Sequence, residues 1–272
     1  MKLIFVDIDG TLTPAGTNTP PDSALRAIRA AQKKGNRVFL CTGRNLAMLS
    51  PLLPYGFDGM VASSGGYVTC GDEVIYDHPM TKKQLETALT LLHRNGVFCT
   101  IEAKEGTWGD ENLKDFLAGT EGGNSEIERW RRALKDNLNI RPMAEYDGSP
   151  VYKVVVMASE DRKLDEARSR LGRDFQFVVQ DVPAHGCVNG ELINRAFDKG
   201  RGVLKVAEHL GVPAADTVGF GDSMNDLEMI QTVGMSVCME NGSAELKKRS
   251  RLICPAVTED GLAWAFEKLG LV

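Results

Sequence analysis

The sequence predicts an α/β fold in which an open parallel sheet flanked by helices is interrupted by an inserted α/β segment. Three observations carry that reading. Short apolar runs such as Leu3–Val6 and Val38–Cys41 alternate with helical periodicities in the first and last thirds of the chain, as strands buried on both faces do. Residues 82–186 change style, mixing alternating strands with polar helices. The length of 272 residues suits one large domain or two unequal ones rather than one small core.

Each element has its own justification. Leu3–Val6 opens the sheet. Thr19-Pro20-Pro21 starts a helix whose Ala24, Leu25, Ile28 and Ala31 recur near helical spacing, and Gly35 closes it. Val38–Cys41 is the next buried strand, followed by a short helix over Asn45–Leu53 that stops around Pro54. Asp58–Ala62 is a third strand, and Tyr67–Tyr76 reads as a hairpin turning at Gly71-Asp72. Thr81-Lys82-Lys83-Gln84 is a capping-box sequence leading a helix to Arg94, with Gly96 just beyond.

Within the insertion, Val97–Glu102, Tyr152–Ala158 and Phe175–Gln180 read as strands, and Ser125–Lys135 and Glu160–Leu171 as helices. Residues 105–125, rich in Gly, Thr, Asn and acids, read as loop with one short helix at most. One face of this sheet is expected to meet a ligand, with Trp108–Asn112 and Gly119–Asn124 among the contacting loops. The opening style then returns: helix at Gly200–Leu210, strand at Thr217–Phe220, helix at Leu227–Ile230, strand at Met235–Met239, helix at Ala244–Arg249, strand at Leu252–Cys254, and helix at Gly261–Leu269. The expected division is therefore a discontinuous core, 1–81 with 187–272, around an insertion at 82–186.

Composition removes several function classes. Thirty-two Lys plus Arg against thirty-seven Asp plus Glu leave a net charge of −5, which gives no general attraction to nucleic acid or to an anionic membrane. No run approaches the ~18–20 apolar residues of a membrane span. Met1–Val6 runs straight into Asp7 and Asp9, unlike a signal peptide. The six cysteines include no close pair and the four histidines no metal-binding spacing, so a disulfide framework or zinc enzyme is not expected. A cytoplasmic location is.

Three buried strands end in polar groups. Leu3–Val6 runs into Asp7-Ile8-Asp9-Gly10-Thr11, Val38–Cys41 into Thr42-Gly43-Arg44, and Val218-Gly219-Phe220 into Gly221-Asp222-Ser223-Met224-Asn225-Asp226. In an open parallel sheet these carboxyl ends line the ligand crevice. Four acids there repel one another unless a cation holds them. Asp7 and Asp222, with a carbonyl and waters, suit Mg²⁺, a hard ion that prefers oxygen. Asp226 reads as a further member of this acid cluster, with a plain helix-start acid or a salt-bridge partner inside the site as the alternatives. Lys199 stands at a helix start, where a cation is unfavourable unless an anion sits beside it.

These stretches, with Lys199 in Asp198-Lys199-Gly200, resemble the four motifs of the haloacid dehalogenase superfamily of phosphohydrolases. Val188-Asn189-Gly190, Met239-Glu240-Asn241 and Glu259-Asp260-Gly261 narrow the resemblance to its Cof-type subfamily. The resemblance implies a Rossmann-like parallel-sheet core with an inserted α/β cap of type IIB that sets substrate specificity. It also implies a Mg²⁺-dependent phosphatase that hydrolyses a small-molecule phosphomonoester, with a sugar phosphate as the expected class, through an aspartyl-phosphate.

In that scheme Asp7 is the nucleophile and Asp9 the acid and base. Thr42, Gly43, Gly10, Arg44, Lys199 and Asn225 surround the phosphate. Asp7, Asp222, the Asp9 carbonyl and Asp226 form the metal site. Arg44 suits a structural ion pair as well as a phosphate contact, and Asn241 suits a turn better than catalysis. The alternatives are a phosphomannomutase-like phosphotransferase and a phospho-acceptor signalling module; Asp9, a ready second-step base, speaks against the latter. Two positions depart from the subfamily pattern: Ser64-Gly65 replaces Asn-Gly after the third strand, and Cys238 replaces a small Ala.

Overall fold

A computed structural model of the chain describes residues 1–113, 115, 140–180 and 188–272. It divides into two compact units. The first comprises Met1–Arg44, Leu49–His78 and Phe197–Val272, and the second Asn45–Met48 and Pro79–Ala196.

The first unit is built on an eight-stranded sheet. Its strands are β1 (Leu3–Val6), β2 (Arg37–Cys41), β3 (Gly59–Ala62), β4 (Tyr67–Cys70) and β5 (Glu73–Asp77), then β12 (Thr217–Gly221), β13 (Met235–Met239) and β14 (Leu252–Cys254). The order is β14-β13-β12-β1-β2-β3-β4-β5, parallel through β3 and antiparallel over the β4–β5 hairpin. β1 is wholly buried between β12 and β2, with Val6 level with Phe220 on one side and Leu40 on the other. Asp7, Thr42 and Asp222 therefore emerge from neighbouring strands at one edge, where the strand order reverses direction along the chain.

Helix α1 (Asp22–Lys33) buries Ala24, Ala27, Ile28 and Ala31 and packs with the terminal helix Gly261–Lys268. On the other face, the helices Lys199–His209 and Leu227–Thr232 bury Val203, Val206 and Met229 against Leu3, Phe5, Phe39 and Val61. Phe5 and Phe39 stack at 5.2 Å, and burial of each such ring is worth about 1.5–3 kcal/mol. A Cβ on Gly200 would lie 2.5 Å from the Glu228 carbonyl. Only glycine lets these two helices approach so closely, and that approach brings Lys199 toward the strand ends. The short helix expected at Asn45–Leu53 is replaced by two 3₁₀ turns, Ala47–Leu49 and Leu53–Tyr55, because Pro51 and Pro54 interrupt any longer ladder.

The second unit has a six-stranded sheet ordered β10-β11-β9-β6-β7-β8. These are β6 (Phe98–Ala103), β7 (Gly106–Gly109), β8 (Ile140–Pro142), β9 (Val151–Ala158), β10 (Phe175–Gln180) and β11 (Val188–Asn194). Helix α2 (Lys82–Arg94) carries the expected capping box between Thr81 and Gln84. It packs with α3 (Asp165–Leu171) over Cys99, Ile101, Val154, Val156 and Leu192. Asp110 Oδ2 ties the end of α2 to the sheet, lying 3.0 Å from His93 Nε2 and accepting from the Cys99 amide at 2.7 Å.

Three strands differ from expectation. β7 lies in the stretch read as loop, and neither β8 nor β11 is anticipated. β11 pairs with β9 and β10 on both sides, so the second unit continues past residue 186 to Ala196. The expected 3.6-residue helix at 160–171 begins as a 3₁₀ turn at Asp161–Leu164. The helix expected at Ser125–Lys135 and the loop Gly119–Asn124 lie outside the described residues.

Candidate active site

The loop after β1 is wound tightly. The Ile8 carbonyl accepts from the Thr11, Leu12 and Thr13 amides, and the Gly10 amide donates to the Thr13 carbonyl at 2.8 Å. Gly10 has φ +84°, and a Cβ there would stand 2.4 Å from Asp222 Oδ2. The loop thus needs glycine twice over, for its left-handed backbone and for the carboxylate beside it. Asn241 holds the loop from the β13 end, donating to the Gly10 carbonyl at 2.8 Å and accepting from the Val257 amide at 2.9 Å. That contact makes Asn241 a clamp between loops, in keeping with a turn residue.

Carboxylate oxygens of Asp7, Asp222 and Asp226 lie within 4.8 Å of one another. Lys199 enters this group from the start of its helix, 1% exposed. Its Nζ donates to Asp7 Oδ1 at 2.7 Å, Asp226 Oδ1 at 2.5 Å and Asn225 Oδ1 at 3.3 Å, so three acceptors meet its three donors. Asp226, fully buried, accepts from the Asp222 and Ser223 amides with its second oxygen, at 3.0 and 3.2 Å. It therefore fixes both the β12 loop and Lys199. Thr11 Oγ1 reaches Asp222 Oδ1 at 3.4 Å.

Three carboxylates around one ammonium leave an excess of negative charge. Burial, then the Asp226 charge, raises Asp7 to about 7 in spite of Lys199. Burial, then the charges of Asp7 and Asp226, raises Asp222 to about 8. Lys199 is raised well above its ordinary value: burial opposes its charge, and Asp226 and Asp7 outweigh burial. A second cation would balance that charge. The donors are hard carboxylate oxygens on a partly accessible rim, which fits Mg²⁺ rather than a thiophilic metal.

The structure pairs two of the expected residues with each other. Asp9 does not join the acid cluster with its side chain. Arg44 grips its carboxylate through Nε at 2.8 Å and Nη2 at 2.7 Å, and the Gly16 amide donates to it at 3.0 Å. The remaining donors of Arg44 reach Asn18 Oδ1 at 2.6 Å and the Thr17 carbonyl at 3.1 Å. Of the two roles open to Arg44, the ion pair is the one this geometry carries.

Thr42 is buried, and its Oγ1 accepts from the Arg44 amide at 3.1 Å, closing a tight turn around Gly43. Sequence reasoning missed what holds that turn. The Ser63 and Ser64 amides donate to the Arg44 and Thr42 carbonyls, both at 2.9 Å. To do so the two serines adopt φ +49° and +57°, a left-handed backbone that asparagine tolerates better than serine. The departure from Asn-Gly at Ser64-Gly65 thus falls where a strained backbone supports the Thr42–Arg44 turn. Cys238, the other departure, is a buried thiol raised to about 11 by burial and then by Asp222, and stays protonated.

A family model described as haloacid dehalogenase-like hydrolase matches residues 4–266. A putative phosphatase, YkrA of Bacillus subtilis, is 27% identical over 273 residues, covering 100% of this chain and 98% of that protein. A phosphoglycolate phosphatase of Methanopyrus kandleri is also 27% identical, covering 98% of this chain and 97% of its own length. The subclass IIB sugar phosphatase BT4131 shares the fold, with a TM-score of 0.78 at 23% identity and full coverage of both chains. With the motif residues gathered at the ends of β1, β2 and β12 and the family model spanning nearly the whole length, this chain belongs to the haloacid dehalogenase-like hydrolase family, in its Cof-type branch.

Proposed function

We propose that the chain is a Mg²⁺-dependent phosphatase that hydrolyses a small soluble phosphomonoester, a sugar phosphate above all, in the cytoplasm. The observation that supports this best is the buried Lys199, which touches Asp7 and Asp226 beside Asp222. Relatives named as phosphatases point the same way. In this reading Asp7 attacks phosphorus in line: an Asp7 oxygen–phosphorus bond forms as the bond to the leaving oxygen breaks. Once turned out of its pair with Arg44 and protonated, Asp9 gives that proton to the leaving alkoxide and then takes one from the water that cleaves the aspartyl-phosphate. Such acid–base help is worth about 10²–10⁴ in rate.

Thr42, the Gly43 amide and Asn225 hold phosphoryl oxygens, Gly10 leaves them room, and Lys199 balances their charge. Asp7, Asp222 and the Asp9 carbonyl would hold Mg²⁺, with Asp226 orienting its waters, and the ion when bound would stabilise negative charge on the transferring group. Residues 82–186 would set which ester is accepted. The test is Asp7→Asn: turnover of p-nitrophenyl phosphate, read as released inorganic phosphate, is expected to vanish while the circular dichroism spectrum stays native. Retained turnover sinks the mechanism. In the wild type, EDTA should abolish turnover and Mg²⁺ restore it.

A further inference from the structure

His93, Cys99 and Asp110 come from three elements of the second unit: the last turn of α2, the start of β6 and the residue after β7. One donor atom from each, His93 Nε2, Cys99 Sγ and an Asp110 carboxylate oxygen, lies within 4.8 Å of the other two. The backbone holds all three. The Gly96 amide donates to the His93 carbonyl at 2.9 Å and the Val97 amide to the Leu92 carbonyl at 3.1 Å, closing the helix with Gly96 at φ +65°. The Asp110 amide donates to the Cys99 carbonyl at 3.0 Å, and the Cys99 amide returns a bond to Asp110 Oδ2 at 2.7 Å. His93 Nε2 lies 3.0 Å from the same oxygen.

His93 and Asp110 by themselves read as an ion pair at a helix C-terminus, where a positive imidazole is favoured. That reading leaves the sulfur unexplained. Cys99 is buried, and its thiol donates to the Val97 carbonyl at 3.8 Å, a weak bond that an apolar side chain could forgo. Imidazole nitrogen, sulfur and carboxylate oxygen are the donor types that Zn²⁺ takes. Around a tetrahedral Zn²⁺ with bonds of about 2.0–2.3 Å, such donors stand about 3.3–3.6 Å apart, so the triangle has to close by little more than about 1 Å. Because the three residues belong to separate elements, no short ligand spacing announces them in the sequence. Access is open: the His93 side chain is 42% exposed and that of Asp110 19%. Both line a cavity of about 240 Å³ together with Glu111 and Asn112, from which water can fill a fourth coordination position.

We infer that His93, Cys99 and Asp110 form a Zn²⁺ site that ties the end of α2 to β6 and β7. Without metal the thiol is protonated, because burial and then the Asp110 charge raise it well above its ordinary value. On binding, its S–H bond breaks, the proton passes to solvent and a sulfur–zinc bond forms, with no change of oxidation state. The site lies within one unit and is independent of the phosphatase reading.

The test titrates the full chain, stripped of metal by a chelator, with Co²⁺ as a spectroscopic stand-in for Zn²⁺. Excess Mg²⁺ is present to fill all-oxygen sites. One Co²⁺ per chain should bind with a near-ultraviolet thiolate-to-metal charge-transfer band and the strong visible absorption of four-coordinate cobalt. Zn²⁺ should bleach both and raise the melting temperature. Cys99→Ser should abolish the ultraviolet band. His93→Gln, at a half-exposed position that leaves the core intact, should weaken Co²⁺ and Zn²⁺ binding by more than about tenfold, since losing even an outer partner of a metal ligand costs about that much. No thiolate band in the wild type, a band that survives Cys99→Ser, or a smaller weakening in His93→Gln overturns the inference. Should Cys99→Ser fail to fold, His93→Gln decides alone.

Discussion

Replacing Lys199 with methionine removes the ammonium and keeps most of the side-chain volume. Two carboxylates then lose a partner at 2.7 and 2.5 Å. At an effective dielectric of about 20, each contact is worth about 6 kcal/mol of gross Coulomb attraction, most of it offset by the desolvation of burying the charges. Leaving a buried pair with one member typically costs about 3–5 kcal/mol net. For a chain of this size that is a fall of about 6–20 °C in melting temperature, read by differential scanning calorimetry in EDTA. The fall should be smallest at low pH, because Asp7, already raised to about 7, can take a proton instead of remaining an unpaired charge. Mg²⁺ should recover part of it by supplying a cation to the same carboxylates. Turnover should fall by about 10²–10³, the usual cost of removing one charge-stabilising donor. A variant that melts within about 2 °C of the wild type and keeps its turnover would refute the account of Lys199 as the counter-charge of the cluster.

Two further predictions concern the same site. Asp7 and Asp222 have folded values near 7 and 8, above the ordinary 3.8, so the folded state binds their protons more tightly. Their contribution to stability is then fully present below about 3.8 and is lost as pH rises through about 7 to 8. Metal-free protein should therefore melt lower as pH rises across that window, Mg²⁺ should flatten the decline, and Asp222→Asn should make it shallower without metal; a metal-free decline as steep in that variant as in the wild type would count against the electrostatic picture. Gly10→Ala would force a Cβ toward Asp222 at a φ of +84°; it should cost about 1–3 kcal/mol in urea unfolding and weaken Mg²⁺ activation, and a neutral result would show that the loop can shift.

The elements most legible in the sequence are those whose stability is local or whose burial is total. Leu3–Val6 and Val38–Cys41 are strands because unbroken apolar runs fit a two-sided core, and Thr81-Gln84 caps its helix with its own side chains. The strands that escaped notice depend on partners. Gly106–Gly109 and Val188–Asn194 contain glycine and polar residues with little intrinsic preference for extended structure, yet the first has β6 and β8 beside it and the second β9 and β10.

At the site the division is the same. Sequence by itself determined which groups are on offer: Asp7, Asp9, Thr42, Lys199, Asp222 and Asp226 stand in motifs that resemble those of a phosphohydrolase family, and the phosphate and hard cation we propose rest on that resemblance. Tertiary structure alone decided how the charges pair. β1 lies between β2 and β12 only because of the sheet order, and that order brings Lys199 to Asp7 across 192 positions and to Asp226 across 27. The Asp9–Arg44 pair and the left-handed Ser63-Ser64 support likewise arise from contacts between strand ends distant in sequence. Residue spacing encodes local hydrogen bonds and periodic burial. Electrostatic partnership falls off with distance in space, which spacing along the chain does not record.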